Sequence, residues 1–136
     1  MRVMYQTTQG AVVALFGLLG VGAAPASGQC LANEIQKLTA SDATPSDHFG
    51  TSVRIAGNLA AIGTPNAGDL ANSGAAYVFR LESKTEMWGG QQRLTPIDAG
   101  LHDEFGLSVA IDPVDANVII VGAYLDDDNG MNSGSA

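Results

Sequence analysis

The chain has 136 residues, with 14 Asp and Glu against 6 Lys and Arg, a formal net charge of -8 and a single Cys. That acidic balance repels polyanions and excludes nucleic acid as an expected partner, and a lone thiol leaves packing or a metal, not an internal disulfide, to hold the fold. With 17 Gly and only 15% charged residues, the composition suits sheets joined by tight turns better than helices.

The only charge before Glu34 is Arg2, and an apolar, Gly-rich run over 11–24 ends at Ala24-Pro25-Ala26-Ser27-Gly28. This is the pattern of a secretory signal peptide. The apolar run is too short to span a bilayer comfortably, and Ala24-Pro25-Ala26 offers the small-x-small site that signal peptidase accepts, so residues 1–28 are expected to be removed after Ala26 or Gly28. Residues 29–37 then form a short linker. Cys30 stands behind Gln29 rather than a small residue, which argues against a lipid anchor, so no stable membrane insertion is expected after cleavage. The exported part is secreted or held at the cell surface.

From Leu38 the chain repeats itself. Leu38-Thr39-Ala40-Ser41-Asp42-Ala43 with Asp47-His48-Phe49-Gly50 returns as Leu94-Thr95-Pro96-Ile97-Asp98-Ala99 with Asp103-Glu104-Phe105-Gly106. Each unit of such an array is a module that relies on its neighbour to cover its apolar faces. Within the first unit four strands are predicted, over 49–56, 59–64, 75–81 and 87–94. Gly57-Asn58 fits a two-residue hairpin turn, and nearly continuous apolar runs at 59–62 and 75–79 call for a sheet covered on both faces. Small residues such as Ala60, Ala61, Gly63, Ala75 and Ala76 permit close stacking of neighbouring sheets. The second unit repeats the plan at 105–112 and 118–123, with Pro113-Val114-Asp115 lengthening its turn. It stops at Ser133-Gly134-Ser135-Ala136, where the matching stretch of the first unit opens a strand. The chain is therefore expected to be a fragment of a longer protein, with 38–41 as the outer strand of a neighbouring blade.

Phe49-Gly50 followed by Gly63-Thr64-Pro65, and Phe105-Gly106 followed by Gly122-Ala123-Tyr124, resemble the FG-GAP repeat known from the propeller of integrin alpha subunits. The acidic Asn-Gly loop at 126–130, Ser133 to Ala136, Tyr77-Val78-Phe79, Trp88 and Gln92-Arg93-Leu94-Thr95 are similar to the bacterial secreted variety. The resemblance implies an all-β chain of four-stranded antiparallel propeller blades, an incomplete propeller. Residues 38–96 hold one repeat, an outer strand plus a full blade, and 97–136 hold a second, truncated one. Integrin-type repeats often carry a calcium loop between the two motifs, and the interval between Arg54 and Ile62 is too short for one.

The candidate metal site is Asp126-Asp127-Asp128-Asn129-Gly130, because clustered hard oxygen ligands before a Gly can wrap Ca²⁺. Its frame is imperfect, since an EF-type reading places Leu125 at the first ligand position, and a solvated turn is the competing reading. Asp112, Asp115 and Asn117 lack the Gly such a loop needs. Asp47 and Asp103 are expected to accept backbone N–H bonds before a turn rather than to act as an acid/base pair. His48 and His102 fall at different repeat positions, and Ser52 and Ser108 have no His in register, so no hydrolytic triad follows. Trp88, Tyr77 and Phe79 are read as packing between blades. The expected role is a binding or adhesion scaffold for an extracellular protein or carbohydrate, with no catalysis within the chain; the alternatives are the non-catalytic part of an extracellular enzyme and a calcium-stabilised structural repeat.

Overall fold

The computed structural model describes residues 34–115 and 117–136, so the predicted signal peptide and Cys30 lie outside the described residues. Contacts divide the chain into Met1–Lys37 and Leu38–Ala136, and the latter holds both repeats. Its elements are β1 (Ser52–Ala56), β2 (Leu59–Thr64), β3 (Ala75–Glu82), β4 (Met87–Leu94), β5 (Ser108–Ile111) and β6 (Ile119–Gly122). The first four form one antiparallel sheet in the order β1-β2-β3-β4, and β5 and β6 pair antiparallel in a second sheet. These sheets are one full blade and the inner part of another, and they do not close into a ring.

Local chemistry sets each connection. Ala56 pairs with Leu59 across a two-residue turn in which Gly57 takes φ of 54°. Gly is the residue that adopts this left-handed backbone without steric cost. The β3–β4 ladder slips between Val78, opposite Gln92, and Arg80, opposite Gly89. The extra residue makes a bulge on β4, and Gly90 takes φ of 61° there.

The strands at the Phe-Gly motifs start later than the apolar pattern predicts, at Ser52 instead of 49 and at Ser108 instead of 105. The motif itself is a turn. Thr51 N–H donates to the His48 carbonyl (3.2 Å) and Leu107 N–H to that of Glu104 (3.1 Å), while Gly50 and Gly106 take φ of 92° and 93°. Residues 38–41 form no strand either. Leu38 and Ala40 are buried, and Ser41 is held by the Gln91 side chain, whose Oε1 accepts from Ser41 N–H and whose Nε2 donates to Ser41 Oγ, both at 3.1 Å. Side-chain amide bonds here stand in for the expected backbone ladder.

The two sheets meet through a small-residue face. Leu59, Ala61, Ala76 and Val78 of the first pack against Val109, Ile111 and Val121 of the second. Burying each of the last three is worth about 1.5–3 kcal/mol, the main apolar contribution to joining the repeats. Backbone contacts fix the register. His102 N–H donates to Ala71 O (2.9 Å), Glu104 N–H to Asn72 O (3.0 Å) and Phe105 N–H to Ser73 O (3.0 Å), and Gly74 makes a parallel bridge with Phe105. Ser52 Oγ donates to the Gly106 carbonyl at 2.9 Å, and that oxygen lies 1.8 Å from where a Cβ on Gly63 would stand. Only a glycine fits at that notch.

Gly106→Ala tests this seat. A Cβ there would lie 2.2 Å from the Ala75 carbonyl oxygen on a backbone with φ of +93°, so the substitution is expected to cost about 1–3 kcal/mol or more in urea unfolding. Gly89→Ala, where a Cβ meets nothing within 4 Å, is the control and should change stability little.

Candidate functional site

Each repeat carries a loop next to its Phe-Gly turn, at 65–74 and 124–134, and the two share a frame. Gly74 N–H donates to Ala67 O (2.6 Å) and Ser73 N–H to Leu70 O (3.2 Å); Gly134 N–H donates to Asp126 O (2.8 Å) and Ser133 N–H to Gly130 O (2.9 Å). Asn66 N–H reaches Asp47 O at 3.3 Å and Leu125 N–H reaches Asp103 O at 3.4 Å. Asp126 therefore occupies the position of Ala67, and Asp127-Asp128-Asn129 replaces the shorter Gly68-Asp69. Frame residues repeat and loop contents differ.

In the first repeat the loop closes over a polar cavity of about 220 Å³ whose lining includes Asp42, Thr44, Asp47, Asp69, Tyr77 and Arg93. Asp42 is its centre. The Tyr77 hydroxyl donates to Asp42 Oδ1 at 2.8 Å and Arg93 Nε lies 3.6 Å from Asp42 Oδ2. Burial, the hydrogen bond to Asp42 and the nearby negative charge push the Tyr77 phenol up to about 12. Asp47 accepts from Thr44 N–H and Thr44 Oγ1, both at 2.6 Å, so it closes the turn before Phe49 as the sequence suggests. Asp103 does the same for Gly100 N–H at 2.5 Å.

The second repeat places Asp98 where the first has Asp42, and there Asp98 meets a carboxyl group in place of a cation. Asp128 hydrogen-bonds Asp98, and that contact together with the charges of Asp126, Asp98 and Asp103 raises the Asp128 carboxyl above its ordinary value. Two carboxylates this close favour keeping one proton. Asp126 goes the other way. Its Oδ2 accepts from Ser135 Oγ and its Oδ1 from Asp128 N–H at 3.0 Å, so its carboxyl is lowered. Asp127 is exposed. Among the described residues no three His, Cys, Asp or Glu side chains converge tightly enough to hold a metal ion, and Asp126 spends both oxygens on its own loop.

The FG-GAP repeat profile matches the chain twice, over residues 32–79 and 88–136. The chain belongs to the FG-GAP repeat family. No curated protein and no solved structure matches it.

The remaining polar residues of these FG-GAP repeats serve the frame. His102 sits in the junction between repeats, with φ of 68° and Asn72 Nδ2 donating to its Nδ1 at 3.3 Å. Its backbone counterpart is Ser46, with φ of 72°, as Glu104 (55°) is the counterpart of His48 (60°). Asp115 Oδ1 accepts from Asn117 N–H (3.0 Å) and Asp112 Oδ1 from Val114 N–H (2.8 Å), which makes the longer turn of the second repeat an Asx-type one. Tyr77 and Phe79 pack on Phe49, with ring centroids at 5.6 and 6.3 Å, while Trp88 lies half-buried on β4 opposite Leu81. The Phe of the motif thus anchors its own blade. The role of Asp42 and Arg93 was missed in the sequence because they stand far apart in the chain; the match of Asp42 with Asp98 was the available signal.

Tyr77→Phe is expected to cost about 1–2 kcal/mol at neutral pH through the lost bond to Asp42. Because the folded phenol titrates at about 12 against an ordinary 10.0, its contribution is fully present below pH 10 and is lost as pH rises through 12. Urea unfolding of both proteins from pH 7 upward should show the gap between them shrink above pH 10, and the Tyr77 phenolate absorbance should emerge only near 12.

Proposed function

We propose that this FG-GAP chain is a secreted or cell-surface scaffold of β-propeller type that binds an extracellular protein or carbohydrate through its rim loops and performs no catalysis itself. The observation that carries this reading is the division of labour within the repeat: the Phe-Gly turn, the junction and the loop hydrogen bonds recur, while the loop contents change from Ala67-Gly68-Asp69 to Asp126-Asp127-Asp128-Asn129. Loops on a rigid frame are where recognition is placed. Superfolds do not fix functions, so the loops and not the blades must carry the specificity.

A second reading, a calcium-stabilised loop, is favoured by the Asp98–Asp128 contact. A divalent cation in place of the shared proton would relieve the same repulsion, with the Asp126 to Asp128 loop shifting to supply further oxygens. Calcium would then order the rim without taking part in any reaction.

Both readings are tested together by presenting the exported chain to arrays of extracellular matrix proteins and polysaccharides, in millimolar Ca²⁺ and in chelator. Binding is expected, and Asp127→Lys with Asp128→Lys should weaken it at least about tenfold, a loss of about 1.4 kcal/mol. Equal binding by the variant removes the loop from the scaffold reading. A melting temperature unmoved by Ca²⁺ removes the metal and leaves the loop a solvated turn. N-terminal sequencing of material recovered from the medium should start near Ser27 or Gln29; an intact Met1 on a membrane-bound product would overturn export by a cleaved signal.

A further inference from the structure

The contact between the two repeats can be made a second time, because each repeat carries both halves of it. On the receiving side of the first repeat, Leu59 and Ala61 are 4% and 0% exposed beneath the second repeat, while Ile120, at the position of Ala61, is 57% exposed. The notch is duplicated too. Gly63 holds the Gly106 carbonyl where its Cβ would be, whereas a Cβ on Gly122, the matching residue, would meet only Ser108 Oγ within 3 Å. Ser108 matches Ser52, the donor to that carbonyl. Gly74 has Phe105 N and O within 2.4 Å of its missing Cβ, and Gly134 has nothing nearer than the Tyr124 carbonyl at 3.3 Å.

The inserting side is likewise duplicated. Ile111 is 9% exposed against the first repeat, and Ile55, its counterpart on β1, is 49% exposed. The segment ending at Gly50 has the backbone of the one ending at Gly106: φ at Ser46, His48 and Gly50 is 72°, 60° and 92°, against 68°, 55° and 93° at His102, Glu104 and Gly106. The receiving loop is preformed as well, with φ of 52° and 76° at Asn132 and Gly134 against 55° and 90° at Asn72 and Gly74. Neither partner has to reorganise, which removes a main cost of association.

We propose that the chain binds a second copy of itself head to tail, the 46–50 segment and Ile55 face of one copy docking on the 132–134 loop and Ile120 face of the next. The shape complementarity is that of an interface the chain already forms internally, so a second copy is the occupant for which the surface is built. Because the two faces differ, the contact is heterologous and propagates into a ring or a filament instead of stopping at a dimer.

Sedimentation velocity on the purified chain, from low to high micromolar, should show a mass that grows with concentration beyond a dimer. Ile55→Lys blocks one face and Ile120→Lys the other, both at exposed positions, so each variant alone should stay monomeric with an unchanged circular dichroism spectrum. An equimolar mixture should form a heterodimer and nothing larger, because one good face of each kind remains. Should a Lys variant misfold, Ile55→Thr and Gly122→Val address the same two faces. Wild-type protein that stays monomeric throughout, variants that still assemble alone, or a mixture that does not pair would each overturn the proposal and leave these faces to a different occupant, a further repeat or another protein.

Discussion

The approach of the Gly106 carbonyl to the backbone of Gly63 is the constraint on which the arrangement of the repeats depends. A peptide oxygen occupying the place of a side chain brings the sheets close enough for Ala61 and Ala76 to meet Val109 and Ile111, and larger residues on that face would hold them apart. The Phe-Gly turn delivers that oxygen. Its Gly bends the chain with a positive φ, its Phe anchors the turn in its own blade, and its preceding residues bond to the loop of the neighbouring repeat. A short motif thus encodes a turn, a core contact and an intermodule joint at once.

Much of this was legible because repetition is visible without any knowledge of shape. The match of 38–55 to 94–111 marks the modules, the Gly57-Asn58 turn marks the first hairpin, and β2 and β4 fall where apolar runs and turn residues place them. The strand starts at the motifs were less legible because Phe49 and Phe105 are apolar for a reason other than strand alternation: each is the plug of a turn. The 38–41 segment misled in a similar way, since Leu38 and Ala40 are buried as a strand's residues would be, yet a Gln91 side chain holds the segment in place of a ladder.

The loop acids show what spacing alone leaves open. Asp126, Asp127 and Asp128 are consecutive, and the structure sends them to different environments: one caps its own loop, one faces solvent and one meets Asp98 from the strand-to-turn segment. The partner of Asp128 lies thirty residues away in sequence, so only the repeat alignment with Asp42 hinted that Asp98 belongs to the site. In the first repeat an Arg and a Tyr surround that same position, which gives the two loops opposite electrostatic character on one frame.

The bulge on β4 has a bearing on solubility. β4 is the outermost strand of the four-stranded sheet, and an outermost strand with a straight, unpaired edge is a template on which other chains can stack without limit. The slip at Gly90 twists that edge out of line, and Gln91, Gln92 and Arg93 follow it directly. A chain that joins modules through their faces thereby keeps its sheet border from recruiting strangers, so that assembly is steered to the faces and away from amyloid-like edge growth.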